Sequence, residues 1–246
     1  MTLLWIVLSN TLIGIFSLVG VFTLALKEQV LQKILLYLVA LSAGALMGGA
    51  FLHLLPESIK GNSDTNIFLW VLVAFVIFFL IEKLLHWRHC HKSHCSIHTF
   101  GHMNLFGDAV HNFIDGVIIA ASFVVSIPLG ITTVFAIALH EIPQEIGDFG
   151  VLIYAGFGKK KALILNFIVA MIAVAGGIFG YYLSTYAEDS INILLPFAAG
   201  GFIYIAASDL IPEFRKEASL KKSFFSFGMF VVGILIMYCV KFIGSE

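Results

Sequence analysis

The chain has 246 residues, 60% of them hydrophobic and only 12% charged, with a formal net charge of −1. Soluble domains carry about 25% charged residues, so this composition, with a mean hydropathy of +1.00, excludes a soluble globular protein and points to an all-α polytopic membrane protein. A pI near 6.7 argues against a nucleic-acid partner, and Cys90, Cys95 and Cys239 are too few and too scattered for a disulfide scaffold.

Eight apolar windows follow one another, each near the ~20 residues needed to cross a bilayer. They are Leu3–Leu26, Ile34–Leu55, Ile67–Leu85, Met103–Val125, Ile127–Phe157, Ala162–Tyr186, Ile191–Ile211 and Phe224–Ile243, forming one transmembrane domain over residues 1–246. The first is too long for a signal-peptide core and has no Lys or Arg before it, so it reads as a retained span. The connections after spans one, three, five and seven hold 12 of the 14 basic residues, leaving only Lys60 and Lys241 on the other side. By the positive-inside rule both termini lie outside and those four loops in the cytoplasm.

Span two reads Ala43-Gly44-Ala45 and, further on, His53-Leu54-Leu55-Pro56-Glu57. Span seven reads Ala199-Gly200-Gly201 and then Asp209-Leu210-Ile211-Pro212-Glu213, at a constant offset of 156. The two spans should run in opposite directions, so this is an inverted repeat relating spans one to three to spans six to eight, with four and five central. Inverted repeats are a hallmark of transporters with a midplane substrate site.

Spans four and five carry what a bilayer tolerates least: His111-Asn112-Phe113-Ile114-Asp115-Gly116 and His140-Glu141-Ile142-Pro143-Gln144-Glu145. One ionised side chain near mid-bilayer costs roughly 2.5–3.5 kcal/mol on the lenient scales. Imidazoles and carboxylates together are a ligand set for divalent transition metals. His111 and Asp115 share a helix face as i and i+4, with Asp108 one turn below. His140 and Gln144 share a face, and Glu141 and Glu145 the adjoining one. The short link at Ser126-Ile127-Pro128 makes the two helices antiparallel, bringing Asp115 level with His140, and His111 level with Gln144 and Glu145. Pro143 should bend span five and free the carbonyl near Leu139 to polarise the site or admit water. Gly116 and Gly147 should allow close helix approach.

The strings HNFIDG and HEIPQEIGDF resemble the fourth- and fifth-helix signatures of the ZIP (Zrt/Irt-like) family of divalent-metal transporters, nearest its LIV-1-type branch in a short, bacterial-type form. The resemblance implies uptake of zinc, or of iron, manganese or cadmium, into the cytoplasm through a two-metal site. His111, Asp115, His140 and Gln144 would form the first site; Asn112, Asp115, Glu141 and Glu145 would contribute to the second. Asn166 matches a weaker polar position in span six, and Met47 a still weaker one in span two. The LIV-1 pattern usually has His where Gln144 stands, and an amide oxygen is a poorer zinc ligand than imidazole.

Outside the signatures, His53 and Glu57 stand at one end of span two and Asp209 and Glu213 at the other end of span seven, as candidate transfer ligands; Asp108 and Asp148 join this set. The stretch 86–102 holds His86, His89, Cys90, His91, His94, Cys95, His98 and His102. In a reducing cytoplasm it reads as a soft regulatory metal-binding loop. The expected partners are divalent metal ions and the bilayer of the inner cell membrane, and a homodimer is compatible with the pattern. Transport should proceed by alternating access, the bundle that holds the site shifting against spans one and two and their repeats. The chain is read as a transporter and not an enzyme. The rival readings are an intramembrane zinc hydrolase using His140-Glu141 in the manner of HExxH, and a metal exporter of another fold. The absent second histidine and Pro143 count against the first, span count and loop charges against the second.

Overall fold

Eight helical rods, in the order of the hydropathy windows, make up residues 1–19, 28–61, 66–87, 97–186 and 190–243, which the computed structural model describes. No strand occurs among the described residues. Helix α1 is Thr2–Phe16, continued by a 3₁₀ turn Ser17–Val19. Helix α2 runs through Glu28–Gly49, a π turn Ala50–Leu54, and Leu55–Gly61. Then come α3, Ile67–Trp87; α4, Ile97–Val125; and α5, Ile127–Tyr154. Helix α6 joins Lys159–Ala170 to Ile172–Tyr186. Helix α7 runs through Ser190–Tyr204, a π turn Ile205–Leu210, and Ile211–Arg215, and α8 is Leu220–Ile243.

Among the described residues, six segments are long and apolar enough to cross a membrane: Thr2–Val19, Ile34–Lys60, Asn104–Val125, Lys159–Tyr186, Ile191–Arg215 and Leu220–Val240. Helices α3 and α5, of 21 and 28 residues, reach ~30 Å or more at ~1.5 Å per residue. Helix α5 is the more polar because it carries Glu141, Glu145 and Asp148, and α2, α4 and α6 pack against it. Outward faces are apolar: Leu4, Leu8 and Leu12 of α1 are exposed, while Ile6, Asn10 and Ile13 point inward. A helix apolar on its outer face and polar within is built for lipid.

The helices sort into two groups. One comprises α1, α4, α5 and α6, with α4 against α6; the other pairs α2 with α8 and α3 with α7. Span one therefore packs on the site helices, which corrects the expectation that it stands with span two. The groups meet chiefly where α2 lies on α5.

The inverted repeat is a repeat of structure. A Cβ on Gly44 of α2 would run into the Phe230 carbonyl of α8, and one on Gly200 of α7 into the Val71 carbonyl of α3. The two glycines are 156 residues apart, so each repeat uses the same position for backbone-to-backbone contact. Both copies also widen into a π turn just before the proline, Pro56 and Pro212. Proline has no N–H to give the carbonyl four residues back, and its ring crowds that carbonyl. The preceding residue in each copy instead bonds five back, Leu55 to Ala50 and Ile211 to Ala206.

Candidate metal site

A single residue links α4 and α5. Ser126 is extended, and its hydroxyl accepts from the Leu129 N–H at 3.2 Å, capping α5 just ahead of the helix body. The two rods must then run antiparallel. Gly116 lets α4 close onto α6, where a Cβ would strike the Ala173 carbonyl. Gly147 is different: it is exposed with nothing near its Cβ position, so the expected close approach there does not occur.

This hairpin gathers His111 and Asp115 of α4 with His140 and Glu141 of α5, one donor atom from each lying within 4.8 Å of all the others. His111 Nε2 is 3.2 Å from His140 Nε2, 3.7 Å from Asp115 Oδ2 and 3.3 Å from Glu141 Oε1. His140 Nε2 is 3.1 Å from Asp115 Oδ2 and 3.5 Å from Glu141 Oε1. A tetrahedral zinc with N and O ligands at ~2.0–2.1 Å has edges of about 3.3 Å. The measured separations scatter around that edge. Nδ1 of His140 faces the Ala136 carbonyl at 3.4 Å, leaving Nε2 to the cluster.

The cluster is dry on all but one flank. His140 is 0% exposed, Glu141 1% and Asp115 2%. Neither oxygen of Asp115, nor Oε1 of Glu141, finds a hydrogen-bond donor. Burying a carboxylate without a counter-charge costs several kcal/mol, and this donor set could hold a cation that supplies one. Glu141, expected in the second site, lies with the histidines because His111 Nε2 seats beside both His140 and Glu141. A hydrolase would need that carboxylate free as a base; here its Oε1 lies 3.3 and 3.5 Å from the two histidine Nε2 atoms.

The bond lost at Pro143 is replaced from another helix. Ser42 of α2 donates its hydroxyl to the Leu139 carbonyl at 2.6 Å. The freed carbonyl is thus taken by α2 rather than turned on the site.

A cavity of about 250 Å³ opens beside His111, lined among others by Glu82, Asn104, Asp108, Gln144, Asp148, Tyr204 and Asp209. Among the described residues, no Lys or Arg lines it. All of it lies toward the end of the bundle where α3, α5 and α7 finish and α4 begins, the end bearing the basic loops. Toward the other end Leu46, Ala50, Ile119, Ala136, Ile137 and Phe202 are fully buried and close the bundle.

The other expected residues scatter. Gln144 is on the cavity wall. Glu145 is buried and accepts the side-chain amide of Asn166 from α6, which also donates to the Glu145 backbone carbonyl at 3.3 Å. Asn112 turns to Asp108, donating to its Oδ1 at 2.7 Å, and Asn104 donates to Asp148 Oδ1 at 2.8 Å. Met47 packs against the core. His53, in the first π turn, has Nε2 2.8 Å from the Met237 carbonyl of α8. Glu57 and Glu213 pair with Lys60 and Lys216 at 3.1 and 2.6 Å near the surface and line no part of the cavity. Of the histidine stretch, His89, Cys90, His91, His94 and Cys95 lie outside the described residues; His86 falls within α3 and His98 within α4. His102 is exposed and sets its ring edge-on to Phe157 at 5.2 Å. Sequence reasoning missed Ser42, Glu82, Asn104 and Tyr204, the last donating its hydroxyl to Glu82. Only Glu82 carried a signal, an acid that stands with Lys83 near the end of an apolar window.

Fold and site together define a polytopic helical membrane protein whose interior gathers two histidines and two carboxylates that could hold a metal ion. A family profile described as ZIP zinc transporter matches residues 2–99 and 88–241, and the chain belongs to that family. It is 33% identical over 217 residues to the zinc transporter ZIP13 of Pongo abelii, covering 81% of this chain and 65% of that one. Against ZIP13 of Homo sapiens it is 30% identical, covering 81% and 69%. Against zinc transporter zipt-7.2 of Caenorhabditis elegans it is 29% identical, covering 82% of this chain and 57% of the relative, so the chain spans well under two thirds of that protein.

Proposed function

We propose that this protein carries zinc, and less selectively other divalent transition metals, into the cytoplasm by alternating access. The observation that carries the reading is the set of separations from 3.1 to 3.7 Å among His111, Asp115, His140 and Glu141. These five of the six separations lie near the edge of a tetrahedral zinc, the sixth, between Asp115 and Glu141, lies within 4.8 Å, and all four donors come from one chain, so the reading requires no second copy. A second ion would share Asp115 and draw on Asn112 and Glu145, with Asn166 steadying Glu145 from α6. Gln144 is the residue through which the choice of metal would be tuned.

Placing the basic loops in the cytoplasm, and both termini outside an inner cell membrane, makes the cavity an outlet. Four carboxylates, Glu82, Asp108, Asp148 and Asp209, line it, with no basic side chain among the described residues, a field that draws cations and repels anions. The group α1, α4, α5 and α6 would then move against α2, α3, α7 and α8, closing the outlet and opening its counterpart. The test is metal uptake by the purified chain in liposomes across a panel of divalent ions. Saturable zinc uptake above empty liposomes supports the reading; zinc that binds but never crosses overturns it.

A further inference from the structure

We infer that Asp108 and Asp148 form an additional, all-oxygen cation site on the outlet side of the histidine cluster, where the ion pauses with part of its hydration shell before release. This rests on the transport reading above.

The two carboxylates come from different helices, α4 and α5, and both line the cavity that begins at His111. Each is held in the same way. One oxygen accepts an asparagine amide, Asn112 to Asp108 at 2.7 Å and Asn104 to Asp148 at 2.8 Å. The other oxygen, Oδ2 in both residues, is buried and meets no donor. Asp108 is only 6% exposed and Asn112 1%, yet the amide oxygen of Asn112 is likewise without a donor. Amide donors fix the orientation of both acids while leaving their outer oxygens open. Structural carboxylates are normally satisfied on both, and among the described residues no lysine or arginine lines the cavity to compensate them.

The chemistry differs from that of the cluster above. Oxygen-only sets suit hard, partly hydrated ions such as Mn²⁺ or Mg²⁺, whereas imidazole favours zinc. At ~1.5 Å rise per residue, Asp108 lies about 4.5 Å below His111 and Asp148 about 10 Å below Glu141. Zinc leaving the cluster would therefore step to weaker ligands on its way to the mouth. A tetrahedral site alone would hold zinc too firmly for rapid turnover; a staged descent in affinity relieves this.

The experiment uses the full chain in detergent and follows Mn²⁺ binding by loss of the free-ion EPR signal. The His111→Ala/His140→Ala variant should keep one Mn²⁺ equivalent, and adding Asp108→Asn and Asp148→Asn should weaken it at least about tenfold. Asp108→Asn/Asp148→Asn alone should retain the tetrahedral Co²⁺ absorption of the histidine cluster, which certifies the fold, while zinc uptake falls about tenfold. If that variant loses the Co²⁺ bands, Asp148→Asn alone is read the same way. Mn²⁺ binding that survives loss of both aspartates, or that vanishes with the histidines, overturns the site. Wild-type protein that binds Co²⁺ yet moves no zinc refutes the transport reading instead.

Discussion

The hydroxyl of Ser42 lies 2.6 Å from the carbonyl oxygen of Leu139, the acceptor that Pro143 leaves without its own helical partner, and 2.7 Å from the Leu38 carbonyl of its own helix, with one proton to share between them. The bond ties α2 to α5, and so one helix group to the other, one residue before His140. The repeat does not duplicate it. The position 156 residues after Ser42 is Ala198, and α4 has Ile114 where α5 has Pro143. Under the proposed alternating access, only one of the two facing states would make this contact.

Ser42→Ala should therefore loosen the outlet-open state. Hydrogen bonds between membrane helices are worth about 0.6 kcal/mol and at most ~1.7, so the balance between states should shift roughly 3- to 20-fold. Accessibility of a cysteine placed at Asn104, read by a membrane-impermeant thiol reagent from the basic-loop side, should fall. Unchanged labelling would mean the bond does not distinguish the states.

Zinc should stabilise the folded chain, because the cluster exists only there. At a hundredfold excess over Kd the gain is about 2.7 kcal/mol, visible as a rise in Tm on adding zinc. In Asp115→Asn the rise should disappear, since Oδ2 of that residue stands 3.1 Å from His140 Nε2. A full zinc-dependent rise in that variant would place the ion elsewhere.

Gln144→His puts imidazole on the cavity wall beside His111. Zinc affinity should tighten about tenfold and turnover should slow, because release then leaves a stronger ligand. Isothermal titration and initial uptake rates separate the two effects. Zinc affinity equal to wild type would show that residue 144 never touches the ion.

The helix-packing account predicts opposite outcomes for two glycines. Gly44→Val drives a branched side chain into the backbone of α8 and should cost at least 1–3 kcal/mol, lowering Tm sharply or abolishing the folded protein. Gly147→Ala meets open space and should be neutral or stabilise by up to ~1 kcal/mol. Thermal melts of the two purified variants decide it.

Much of this was legible before any coordinates. The windows marked all eight rods because lipid demands long apolar runs, and the 156-residue offset marked the repeat because the same glycine and proline positions recur. His111, Asp115 and His140 followed from helical spacing plus one short connection. Glu141 did not: helical phase set it on the adjoining face, whereas its carboxylate reaches His111 on the neighbouring helix. Ser42, Asn104 and Tyr204 were invisible for the same reason. Each acts on a residue far away in sequence, and nothing local marks a hydroxyl or amide that will satisfy another helix. Gly147 shows the converse, since a glycine beside a signature need not be at a contact.

Zinc K-edge X-ray absorption on the metal-loaded full chain tests the central claim most directly. The account predicts a first shell of about four nitrogen and oxygen atoms at ~2.0–2.1 Å, with outer-shell scattering from two imidazoles that drops to one in His140→Ala. Sulfur scattering at ~2.3 Å, or an imidazole signal unchanged in that variant, would contradict it.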